Sequence, residues 1–199
     1  MSVKPILFNT EMVKAILDGR KSCTRRALKL PFTVHPNGYI TKPKGNENLC
    51  PYEPPYQPED ILYVRETFYR DENCILYKAN NENLTGYRNM SGDDVSVKWN
   101  PSIHMPKEAA RIWLKVTDVR VERLQEITPQ GAWKEGARCS CLHPVPDCAG
   151  NKTAFVNIWN STIKKADLDR YGWDANPWVW VIEFERCEKP GRVNDESID

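Results

Sequence analysis

Apolar and polar positions recur along the chain in patterns that place most of its regular elements. Between Thr10 and Leu17, Met12, Ala15, Ile16 and Leu17 fall at the spacing of one helical face, with Asn9 or Thr10 as N-cap and Gly19 as stop. Val3 to Phe8, just before it, is a short apolar run suited to a first strand. In the run from Glu59 to Glu66, Leu62 and Val64 can point to one face and Tyr63 and Arg65 to the other. Cys74 to Ala79 makes a second such run, after the turn residues Asp71, Glu72 and Asn73. From Arg111 to Val121, Ile112, Leu114 and Val116 alternate with Trp113, Lys115 and Thr117, which predicts a strand with one wetted face. Thr128, Pro129 and Gly136 bracket a second helix running through Glu135. Thr153 to Lys164 predicts a third, with Phe155, Ile158, Trp159 and Thr162 on one side. Trp178 to Glu185 is too continuously apolar for an exposed edge and is expected to form a central strand.

The intervening stretches break these patterns. Pro31, Pro36, Pro43, Pro51, Pro54, Pro55 and Pro58 crowd the segment 27–58, a density that regular core elements do not tolerate. It reads as an ordered surface insertion with one hairpin around Phe32 to Ile40 and turns at Gly38 and Gly45. Asn80 to Trp99 is polar and reads as loop, 137–151 as a cysteine-bearing loop, and 189–199 as a flexible tail. Strands outnumber helices without regular strand–helix alternation. The expected fold is therefore α+β, a mostly antiparallel, barrel-like sheet, in a single domain over 1–188.

Composition narrows the function classes. Lys and Arg total 28 against 27 Asp and Glu, so global charge predicts no polyanion partner and any such contact rests on local clusters. One cluster exists: between Thr10 and Arg26, five cations (Lys14, Arg20, Lys21, Arg25, Arg26) face two acids (Glu11, Asp18). No apolar stretch has secretory or membrane-spanning length, so the expectation is a soluble, cytoplasmic protein with no membrane partner. Seven cysteines, an odd number, fit free thiols in a reducing compartment. The sequence leaves the oligomeric state open.

The run Gly19-Arg20-Lys21-Ser22-Cys23-Thr24-Arg25-Arg26 resembles the G-x-K-x-x-T/E-x-R signature of ASCH domains, members of the PUA-like superfamily. The Asp60–Glu66 strand, the Ile127–Gly136 helix and the closing Trp180–Phe184 strand match in order and character, and the larger pattern is similar to ASCH proteins common in phages and prophages. The resemblance implies a PUA-like β-barrel with flanking helices at its mouth and a cleft for RNA or a modified nucleoside. Its contacts would come from Arg20, Arg25, Arg26, Arg65 and Glu66, and its location would be the host cytoplasm if phage-encoded. One branch of the family, the 4-acetylcytidine amidohydrolases, is similar at Lys21, Thr24 and Glu135. That similarity implies a threonine nucleophile, a lysine activator and a glutamate proton carrier, with no cofactor required.

These residue types suit acyl transfer. A threonine hydroxyl needs an adjacent base, and like charges with partial burial favour the neutral amine that Lys21 would need. Glu135 could return a proton to a departing amine. On the other reading, Lys21 and Arg26 pair with acids, Thr24 is an ordinary strand residue and Glu135 sits on a solvated helix face. A non-catalytic reader of RNA or modified bases, built on Arg25 and Arg26, and a phage host-interaction protein are the alternatives. Cys139, Cys141, His143 and Cys148 supply three thiols and an imidazole within ten residues, enough for a structural zinc.

Overall fold

The computed structural model describes residues 2–191 apart from 30, 37–38, 45–47 and 73. The turns expected at Gly38, Gly45 and Asn73, and the tail from residue 192 on, lie outside the described residues. Five strands build the central sheet: β1 (Val3–Leu7), β2 (Cys23–Ala27), β3 (Ile61–Arg65), β4 (Trp113–Arg123) and β5 (Trp178–Cys187). Their spatial order is β1-β3-β4-β5-β2. β1 runs parallel to β3, from Val3 opposite Ile61 to Leu7 opposite Arg65. The other three pairings are antiparallel. A bulge leaves Thr117 without a partner, because Val116 faces Phe184 while Asp118 already faces Glu183. The fold is thus mixed α+β, but the sheet is not closed into a barrel. β1 and β2 are its two ends, and across them the Arg26 guanidinium donates to the Leu7 carbonyl at 2.7 Å.

Both faces of the sheet are covered. On one side Trp180, Ile182 and Phe184 of β5 join Ile6, Leu62, Leu114 and the helix α1 (Thr10–Leu17). On the other side Val179 and Val181 meet α2 (Pro129–Lys134) and α3 (Gly150–Thr162) through Ala132, Phe155 and Trp159. A strand buried on both faces has no reason to alternate, which accounts for the unbroken apolar run in β5. α1 buries Val13, Ala15 and Ile16, so Val13 completes the face on which Met12 and Leu17 are only partly covered.

Several expectations are corrected. The hairpin expected around Phe32 to Ile40 is present, Thr33–Val34 pairing with Ile40–Lys44, but Asn48–Pro51 adds a third strand, Ile40 is buried in the main core rather than at the surface, and Tyr52 packs edge-on to Trp180. The polar stretch read as loop contains a hairpin of Gly86–Arg88 with Asp94–Ser96. α3 begins three residues earlier than expected. The face of β4 expected to be wetted carries a buried Trp113, packed with Ile61 and Ala110.

The junction of β1 and β3 is held by Asp60. Its carboxylate accepts from the Ser2 amide and hydroxyl (3.1 and 2.7 Å), Lys4 Nζ (2.7 Å) and the Gln57 amide (3.0 Å). Burial opposes ionisation of Asp60, but these donors outweigh it and hold the carboxyl well below the usual carboxylate range. A depressed folded-state pKa stabilises the fold above the unfolded value, about 3.9, and is lost as pH falls toward the folded value. Asp60→Asn should lower the unfolding free energy at pH 7 by about 2 kcal/mol, moderated because Lys4 is one-third exposed. In urea titrations the gap to the wild type should shrink as pH drops below about 4; a gap that persists unchanged at pH 3 would contradict this.

Candidate active site

The turn after α1 sets the first half of the site. Gly19, at φ +69°, reverses the chain, and the amides of Arg20 and Lys21 both donate to the Ala15 carbonyl at 2.8 and 3.0 Å. α2 sets the second half. Thr128 Oγ1 accepts from the Gly131 amide at 3.0 Å, Pro129 opens the helix, and Glu135 caps its end. Gly136 follows at φ +88°; a Cβ there would stand 3.2 Å from Ala15 Cβ and 3.4 Å from Lys21 Cβ, so its absence lets α2 close on the α1 turn. The Ser22 amide ties the two halves by donating to the Lys134 carbonyl at 2.9 Å.

The result is a buried ion cluster. Lys21 Nζ lies 2.5 Å from Glu135 Oε2 and 3.1 Å from the Glu135 carbonyl oxygen. Arg25 Nη1 approaches Glu135 Oε1 at 3.3 Å, and its Nη2 approaches Glu122 Oε2 at 3.2 Å. The Lys21, Arg25 and Glu135 side chains are 1%, 3% and 7% exposed. Charges continue outward through Arg120, which bonds Glu122, Asp118 and Glu183, to Lys134. Burial would raise the Glu183 carboxyl, yet its hydrogen bonds from Lys134 and Arg120 bring it below the usual range.

Thr24 lies in β2 opposite Ile182 and is buried. It lines a cavity of about 40 Å³ with Arg25, Glu135, Phe155, Ile158 and Trp159. Lys21 directs its bonds at Glu135 rather than at the Thr24 hydroxyl. Arg25 lines the same cavity, and its Nε–H is buried without a hydrogen-bond partner. The neighbouring Cys23 is no rival nucleophile: burial, seconded by the Glu135 charge, pushes its thiol up to about 12.

The other expected binding residues have separate engagements. Arg20 holds Asp18 at the surface, at 2.8 Å. Arg26 bonds the Leu7 carbonyl and lies 5.4 Å from the Phe8 ring centroid. Arg65 stacks on Tyr63, and its Nε is buried without a partner. Glu66, 1% exposed, accepts from Arg111 Nε and Nη2 at 2.8 and 2.9 Å, and that guanidinium lies 4.0 Å from the Tyr77 ring centroid. Of the five, Arg25 alone bonds Glu135 among the described residues, while Arg26 lines the cavity beside it. The C-terminal tryptophans offer no free stacking face for a base, since Trp180 is buried against Tyr52 and Trp178 lies under Arg123. Glu122 and Arg120 were not singled out from the sequence. Their signal was available: Asp118, Arg120 and Glu122 alternate, as three charges on one face of a strand must.

In the cysteine loop, the sulfurs of Cys139, Cys141 and Cys148 lie within 4.8 Å of one another, a group that could hold a metal. Cys139 and Cys141 are in bonding contact. The expected ligand set is corrected by geometry, because the exposed His143 does not belong to the group.

No family model matches the sequence, and no curated protein does. Among solved structures, the chain is similar to the ASCH domain from Lactobacillus crispatus JV V101, with a TM-score of 0.44 and 12% identity over 93% of this chain and 79% of that one. A likeness of that degree decides neither family nor function. Among the described residues no helix is long and apolar enough to cross a membrane.

Proposed function

We infer that the protein is an amidohydrolase that removes a small acyl group from the exocyclic amine of a cytosine-type nucleoside, free or in RNA. One observation carries this reading: the Lys21 amine and Glu135 carboxyl, 114 residues apart in sequence, meet at 2.5 Å beside the cavity that Thr24 lines. The ASCH-like motif resemblance supplies the substrate class. The cavity's size, about 40 Å³, suits an acetyl-sized group and not a whole nucleoside. The base would therefore rest at the lip, against the partly exposed Ile158 and the Trp159 edge.

In this mechanism the Thr24 hydroxyl oxygen adds to the acyl carbonyl as its proton passes to the Lys21 amine. For Lys21 to accept it, the proton of their 2.5 Å hydrogen bond passes to the Glu135 carboxylate. The developing oxyanion would take the unpartnered Arg25 Nε–H, a donor held in a water-poor site before reaction. Glu135 then returns a proton to the departing amine as the C–N bond breaks. Water finally cleaves the threonine ester and releases the carboxylic acid.

The test is release of cytidine from 4-acetylcytidine by the purified protein. Thr24→Ala should cut kcat by about 10² to 10⁴-fold while its thermal unfolding stays near that of the wild type. Absence of turnover by the wild type, or full turnover by Thr24→Ala, would overturn the reading and leave a non-catalytic reader of such bases as the alternative.

A further inference from the structure

The cysteine loop lies outside the chemistry above, and its construction points to a metal. We propose that Cys139, Cys141 and Cys148, in their thiol state, form a three-thiolate site for a soft divalent cation, zinc foremost. Two thiolates bound at about 2.3 Å to a tetrahedral centre sit about 3.8 Å apart. The Cys141 and Cys148 sulfurs are separated by 3.8 Å, and the third sulfur completes a group within 4.8 Å. Thiolate donors in this number select zinc over harder cations.

The loop is held for this purpose by a residue with no other evident task. Asn151 is fully buried; its Oδ1 accepts from the Cys139 amide at 2.9 Å, and its Nδ2 donates to the Val145 and Pro146 carbonyls at 2.8 and 3.1 Å. One side chain thus clamps both limbs of the loop. Gly150 lets α3 come closer still, since a Cβ there would fall 2.7 Å from Cys139 Cβ. Arg138, the residue before Cys139, lines the same pocket, with its guanidinium donating to the Trp133 and Ala137 carbonyls and lying against the Trp133 ring. Three thiolates leave one place of a tetrahedral centre for solvent or a small anionic ligand.

Binding forms three metal–sulfur bonds and releases the thiol protons to solvent without moving electrons. It therefore requires Cys139 and Cys141 as thiols, and their disulfide excludes it. The experiment is titration of the phosphine-reduced, full-length protein with Co²⁺ under inert gas, followed by displacement with Zn²⁺. One equivalent should bind, with sulfur-to-cobalt charge-transfer absorption that zinc abolishes, and zinc should raise the unfolding temperature. Cys148→Ser should lose the charge-transfer band, whereas Cys50→Ser, outside the cluster, and His143→Ala should keep it. No uptake by the reduced wild-type protein overturns the proposal, as does full thiolate absorption in Cys148→Ser. Loss of the band in His143→Ala would overturn the three-thiolate ligand set.

Discussion

Glu135→Ala is expected to lower the unfolding free energy by about 3–5 kcal/mol, the range for leaving a buried charge without its partner. In a chain of this size that corresponds to a fall in melting temperature of about 6–20 °C. The reason lies in burial. Lys21 and Arg25 are both nearly inaccessible, and the alanine variant removes the carboxylate on which both converge. Arg25 retains Glu122, but Lys21 keeps no acid, only the carbonyl of residue 135 and the Phe8 ring 5.7 Å away. The double variant Lys21→Met with Glu135→Leu takes away the stranded ammonium as well as the acid and should recover most of the loss. A single variant within about 0.5 kcal/mol of the wild type in chemical denaturation would refute the account. This cost is also why Thr24, which holds no ion pair, is the sharper probe of chemistry.

The second large effect belongs to Glu66. Glu66→Ala should cost about 3 kcal/mol, because the bidentate Arg111 pair is lost. The low end of the range applies since Arg111 keeps 24% of its side chain in water and retains Asn80 and Tyr77. Turnover per folded molecule, and KM, should be unchanged. A rise in KM without loss of stability would instead return Glu66 to the substrate, where its place in the sequence had put it.

The elements legible in the sequence were those decided locally. Asn9 and Gly19 bound α1, Thr128, Pro129 and Gly136 bound α2, and each of these residues acts within a few positions of itself. β5 was legible because burial on two faces writes itself as an unbroken apolar run. α3 was misplaced at its start because Gly150 and Asn151 are poor helix formers kept there by tertiary demands, close approach to Cys139 and the loop clamp. The parallel pairing of β1 left no mark, since strand direction is a property of the partner. Nor could spacing reveal that Ile40 and Tyr52, amid prolines, would cover the main core. Of the site, the motif around Lys21 and Thr24 was visible, but which acid meets Lys21 is settled by how α2 ends against the α1 turn. Arg25 looked like a free cation for the same reason: Glu122 and Glu135 are far from it in sequence.

The gap between β1 and β2 has a consequence for how the molecule yields. Everywhere else in the central sheet neighbouring strands are laced by rows of backbone hydrogen bonds, which separate only together. At this seam, among the described residues, the hydrogen bond is that of the Arg26 guanidinium to the Leu7 carbonyl, beside the aromatic ring over which Lys21 also lies, 5.7 Å from its centroid. Opening at Arg26 would therefore break no strand pairing, and the seam it would open lies beside the buried lysine.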